Sequence, residues 1–175
     1  MGCFRFNGRL ALPAMIGTAG GGVMYLYDSS TYEPLRNMGY MLNRLRAEML
    51  AAIDGELAAD QGLAHLRVSS TQSAVIALLA LGRGTSASDL CRAMSYDTGA
   101  MARMIGRLES KGLIRRNRSC EDRRRVTLEL TEAGKAMFPK MHEISVRVTN
   151  RFLRAFTDAE VRQLEMFLGR ALESV

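Results

Sequence analysis

The chain is poor in the residues that staple or metallate small proteins. Its three cysteines, Cys3, Cys91 and Cys120, are far apart, odd in number and lack CxxC spacing, which argues against a disulfide framework and a zinc site and suits a reducing cytoplasm. The two histidines, His65 and His142, have no second ligand at a metal-binding interval, so both read as ordinary helix or loop residues. No apolar run approaches the roughly twenty residues needed to span a bilayer. A soluble protein without metal or cofactor is expected. No nucleophile, base and positioned partner group share a recognisable arrangement, which also speaks against an enzyme.

What is present is a core-forming composition and a strongly localised charge. With 175 residues, 47% hydrophobic and 24% charged, the chain can bury a core and is most simply one domain with appended arms. The net charge is +6. Between Arg103 and Arg125 stand nine Arg/Lys and three Asp/Glu, so the whole excess sits in that stretch and the remainder is neutral. Within it "CEDRRR", Cys120 to Arg125, sets three cations side by side, where a chain seeking only solubility would intersperse acids. Such a field attracts nucleic acid or an anionic membrane surface; with no long basic amphipathic helix to lie on a membrane, nucleic acid is the better candidate.

Residues 1–33 have no helical period, contain Gly20-Gly21-Gly22, and break their main apolar patch with Pro13. They read as an arm of unknown role, failing both the secretory-signal and myristoylation patterns. From Pro34 the texture turns helical: Leu35, Met38, Leu42, Leu45, Met49 and Ala52 recur at intervals of three and four, a heptad seam. A second seam, Val161, Leu164, Leu168, Ala171 and Val175, closes the chain behind a Thr157/Glu160 capping box. A long helix carrying Met137, Met141, Ile144, Val148, Phe152 and Phe156 precedes it, with Pro139 expected to bend it. Heptad spacing at both ends favours a homodimer over stripes that fold back on the chain's own core.

The middle is more punctuated. Ser69 with Gln72 opens a helix ended by Gly82 and Gly84, Ser86 with Asp89 caps the short helix "ASDLCRAM", and Ser95-Tyr96-Asp97 turns into "TGAMARMIGRLES", capped by Asp97 or Thr98 and stopped by Gly112. Two capped helices joined by a short turn make a helix-turn-helix. Met101, Met104, Ile105 and Leu108 point inward from the second helix, leaving Thr98, Gly99, Ala102, Arg103, Gly106 and Arg107 toward a partner. After Leu113-Ile114 comes "RRNRSCEDRRR", then Val126, Leu128 and Leu130 alternating with polar residues, the period of a strand. The stretch is therefore a hairpin with a basic tip that carries Arg118, Arg123, Arg124 and Arg125.

The run Gly112 to Gly134, with "LESKGLIRR", the "DRR" at Asp122 to Arg124 and "LT-x-x-G" at Leu130 to Gly134, resembles the winged-helix signature of the MarR (multiple antibiotic resistance regulator) family. The resemblance covers residues 34–175. It implies a mainly α fold with a small β-hairpin wing: a winged helix-turn-helix over 69–131, flanked by dimerisation helices in 34–68 and 132–175. It also implies a cytoplasmic homodimer that reads a pseudo-palindromic double-stranded DNA operator, with a recognition helix in the major groove and the wing in the minor groove. By motif position Arg124 would enter the minor groove, Asp122 would pair with an arginine to hold the wing, and Arg123 and Arg125 would meet phosphates or share in that pairing. Ser95, Asp97, Thr98, Arg103, Arg107 and Arg118 complete the expected DNA contacts. This chain departs from the family in offering Gly99, Ala102 and Gly106 where hydroxyls are common, so phosphate contacts and groove shape should carry much of the affinity. A MarR-like regulator, often a repressor, can be released by a small aromatic or phenolic acid; Tyr40 and Arg44 on the first long helix are the expected ligand contacts. The competing readings are a redox regulator acting through Cys91 or Cys120, and a winged-helix protein-interaction module with weak DNA binding.

Overall fold

The computed structural model of the chain describes Tyr27, Ser30, residues 32–118 and residues 126–174. Six helices and one hairpin follow in the order α1 (Met38–Ala59), α2 (Ser70–Ala80), α3 (Ala87–Met94), α4 (Thr98–Ser110), β1 (Ile114–Arg118), β2 (Val126–Leu130), α5 (Glu132–Leu153) and α6 (Asp158–Glu173), with a 3₁₀ turn at Ala64–Leu66 between α1 and α2. The fold is mainly helical with a two-stranded antiparallel hairpin.

Local chemistry sets the element boundaries. Ser69, Ser86 and Thr157 each accept a bond from the backbone three residues on, while Gln72, Asp89 and Glu160 reach back to the cap, so three capping boxes start α2, α3 and α6. Each such cap contributes about 1 kcal/mol by satisfying amides that the helix cannot. Asp97 rather than Thr98 caps α4, its carboxylate accepting from the Ala100 amide at 2.8 Å. Gly82 and Gly112 follow α2 and α4 with φ of 64° and 68°, the left-handed conformation that ends a helix. α1 starts one turn later than the heptad pattern suggests: Asn37 caps it, and Leu35 lies in the preceding turn.

The core runs through the centre of the chain. Val75 and Ile76 of α2, Leu90 of α3, Met101, Ile105 and Leu108 of α4, and Ile114 and Leu128 of the hairpin pack with Met141, Ile144 and Val148 of α5 and with Leu57 and Leu63. The apolar stripe of α5 is thus spent on its own chain, and α5 runs unbroken through Pro139. The stripe of α1 behaves differently. Met38, Leu42 and Leu45 are exposed, as is Met41 beside them, whereas Met49 and Ala52 are half-buried; on α6 the seam residues Val161, Leu164 and Leu168 are half-buried, and Met166 and Phe167 off the seam are exposed. α1 and α5 run in opposite directions and are tied by ions: Arg147 and Arg151 hold the Glu56 carboxylate at 2.8 and 2.9 Å, and Lys140 holds Asp60 at 2.9 Å.

Candidate nucleic-acid interface

The helix-turn-helix is α3, its turn and α4. Ser95 takes φ 53° and ψ 46° at the turn, an unusual conformation for a residue with a side chain. The Tyr96 amide then bonds back to the Cys91 carbonyl at 3.0 Å, so the chain reverses sharply and Asp97 launches α4. Met101, Met104, Ile105 and Leu108 are buried, while Thr98, Gly99, Ala102, Arg103 and Arg107 are exposed along one face. Neither Arg103 nor Arg107 forms an ion pair with a described acid. Gly106 lies on that face, and a methyl group built on it would meet nothing within 4 Å. No neighbouring helix therefore requires a glycine there.

The hairpin leaves directly from the end of α4. β1 and β2 pair in register from Ile114 with Leu130 to Arg118 with Val126, and Leu128 donates in turn to the Thr85 carbonyl at 2.8 Å. The base is held by ions as well as by the ladder. Arg115 pairs with Glu129 at 3.0 Å and Arg116 with Glu109 of α4 at 3.3 Å. The Arg115 bond holds the Glu129 carboxyl below its usual range. Two cations of the basic stretch are thereby committed to the hairpin's own geometry. Arg118 ends β1; Cys120, Asp122, Arg123, Arg124 and Arg125 lie outside the described residues, between two strands whose ends are placed.

The expected ligand contacts share a face of α1 one turn apart, with Tyr40 half-buried and Arg44 exposed. Cys91 is half-buried within α3. His65 is exposed in the 3₁₀ turn, and the His142 ring lies 5.5 Å from that of Phe138. Among the described residues no group of three or more His, Cys, Asp or Glu could hold a metal ion. None of their helices is long and apolar enough to cross a membrane.

The family model for MarR matches residues 68–126, the span from the end of the α1–α2 connector to the first residue of β2. Over those residues the chain is similar to the MarR family. Its relatives include the multiple antibiotic resistance protein MarR of Salmonella typhimurium, 29% identical over 140 residues, which covers 79% of this chain and 91% of the relative. Over 86 residues it is 33% identical to a regulatory protein for the hcr operon of Thauera aromatica, covering 49% of this chain and 52% of that one. Two solved structures share the fold: a Staphylococcus aureus MepR–DNA complex, with TM-score 0.69, 20% identity and 79% and 98% of the two chains covered, and an E. coli MarR mutant complexed with operator DNA, with TM-score 0.67, 24% identity and 77% and 93% covered. MarR-family proteins are DNA-binding transcriptional regulators.

Sequence reasoning missed the ionic ties between α1 and α5. Glu56 and Arg147 are 91 residues apart, and no local spacing announces such a pair.

Proposed function

We propose that the chain is a transcriptional regulator, in the first instance a repressor, that binds a pseudo-palindromic operator as a homodimer. The observation that carries this reading is the placement of an exposed α4 face, bearing Thr98, Arg103 and Arg107, beside the β1–β2 hairpin, between whose strands the sequence carries Arg123, Arg124 and Arg125. A helix of that size fits the major groove, and a cationic loop next to it reaches the adjacent minor groove. The relatives solved on DNA support it. The α4 face holds few hydrogen-bonding side chains, so Arg103 and Thr98 supply what direct base contact it makes, and the wing arginines supply charge and groove-width sensing. Asp122 is assigned to hold the wing, with Ser95, Asp97 and Arg118 near the sugar-phosphate backbone.

Sequencing the DNA fragments that co-purify with the protein, or that it selects from a random pool, tests the reading. A single two-fold sequence is expected, and retention of all sequences alike at moderate salt would reject it. Arg124→Ala should weaken operator binding by about tenfold or more, since a well-placed arginine contributes roughly 1–3 kcal/mol; parental gel shifts from a dimeric variant would refute the wing assignment. Release of DNA is assigned to an aromatic or phenolic acid held near Tyr40 and Arg44 that favours one lobe spacing over another. Such acids should release DNA equally from the parent and from a Cys91→Ser, Cys120→Ser protein. Release by peroxide that disappears in that double variant would transfer the switch to the thiols.

A further inference from the structure

Lys111, the residue that ends α4, is half-buried, unlike the exposed Arg103 and Arg107. Its ammonium turns back to the start of α2, donating to the Arg67 carbonyl and, at 3.1 Å, to Oε1 of Gln72. That same oxygen accepts the Ser69 amide at 3.2 Å, completing the capping box of α2. One residue on, the Ser70 amide donates to the Asp54 carboxylate of α1. Ser70 and Gln72 are almost fully buried. Arg67, whose carbonyl Lys111 grips, has φ 47°, so the grip falls on a strained link between α1 and α2. Burial, with the nearby Arg107 and Arg67 guanidiniums, pushes the Lys111 ammonium's pKa down.

Hydrogen bonds on either side of the covalent Ser69–Ser70 link therefore connect α1, through the first turn of α2, to the end of α4. We propose that Lys111 and Gln72 are positioning residues for operator reading: they fix the angle of α4 to α1, and with it the separation of the two α4 helices in a dimer. The inference rests on the DNA-binding reading above. Arg103 and Arg107 touch the nucleic acid; Lys111 acts through the direction in which α4 presents them. Discrimination between sequences depends on that direction, whereas non-specific attraction to phosphates depends on charge alone.

The test compares Lys111→Met and Gln72→Asn, which break this connection, with Lys111→Arg, which keeps a donor. Binding to operator and to unrelated DNA is measured across a salt series. Coupling residues of this kind shift affinity by a few-fold to about thirtyfold, so Lys111→Met and Gln72→Asn should each lose about tenfold on operator. They should change little on unrelated DNA and keep the parental salt slope, and Lys111→Arg should recover most of the loss. A salt slope that falls by about one in Lys111→Met would make Lys111 a phosphate contact and overturn the proposal, as would parental operator affinity in both breaking variants. A second readout does not depend on DNA. In a cysteine-free background, spin labels at Ala58 of α1 and Ala102 of α4, on chains diluted into an excess of unlabelled chains, should give one narrow distance in the parent and a broadened one in Lys111→Met and Gln72→Asn. Unchanged distances would refute the joint. A parent that selects no sequence would defeat the operator reading instead, leaving the distances to decide the joint by themselves.

Discussion

At Gly134 there is no room for a methyl group. A Cβ there would lie 2.1 Å from the Leu113 carbonyl oxygen. The same carbonyl accepts the Thr131 amide at 3.1 Å, while the Thr131 hydroxyl donates to Gly112 and accepts from the Gly134 amide. The "LT-x-x-G" step is thus a clamp between the start of β1 and the first turn of α5. Gly134→Ala should destabilise the protein by about 2 kcal/mol or more despite alanine's better helix propensity, because backbone must move to admit the methyl; urea unfolding reads the change. Gly106 is the opposite case, with open space around it. Gly106→Ala should raise stability by up to about 1 kcal/mol, yet weaken operator binding in the same gel shifts if DNA is what approaches that face. Stronger operator binding would show that the glycine serves neither packing nor DNA.

Among the elements, α1 and α5 are joined by charge as well as by Leu57, Met141 and Ile144. The Arg147 hydrogen bond, opposed in part by desolvation, holds the Glu56 carboxyl below its ordinary range, with the charges of Arg147 and Arg151 adding to it. A carboxyl whose folded pKa is depressed stabilises the fold above its unfolded value, about 4.5, and that contribution is lost as pH falls through the lower folded value. Between pH 7 and pH 5 the clasp should therefore be constant, and it should weaken only below about 4.5. Glu56→Gln should show a shallower loss of thermal stability across that acidic window than the parent. Parallel curves would mean the clasp contributes nothing, which is common for exposed pairs.

For the whole molecule the decisive feature is apolar surface exposed among the described residues: Met38, Met41, Leu42 and Leu45 of α1 and Met166 and Phe167 of α6. Exposed apolar stripes on terminal helices are what a two-fold interface covers. Since Leu45 is 44% exposed, glutamate there should leave the subunit folded. Combined with Leu164→Glu it should reduce the mass in light scattering to one chain and the operator affinity with it. A parent that already scatters as a monomer would remove the dimer and, with it, the two-fold operator.

Much of this was legible in the residues. Capping boxes at Ser69, Ser86 and Thr157, the glycine stops at Gly82 and Gly112, the alternation of Val126, Leu128 and Leu130, and the inward face of α4 are all short-range patterns, because a helix cap or strand face involves atoms a few residues apart. The concentration of cations between Arg103 and Arg125 was equally plain. Periodicity could not say what an apolar stripe packs against: the stripe of α5 meets the chain's own core, whereas the first half of the α1 stripe stays open and the α6 stripe is half-buried. Nor could spacing reveal that Glu56 meets Arg147, that Gly134 touches Leu113, or that Lys111 faces inward to Gln72 while Arg103 and Arg107 face out. In a sequence a lysine in a basic run is one cation among several; only the packing of α4 against the start of α2 decides whether its charge meets water or a buried amide oxygen.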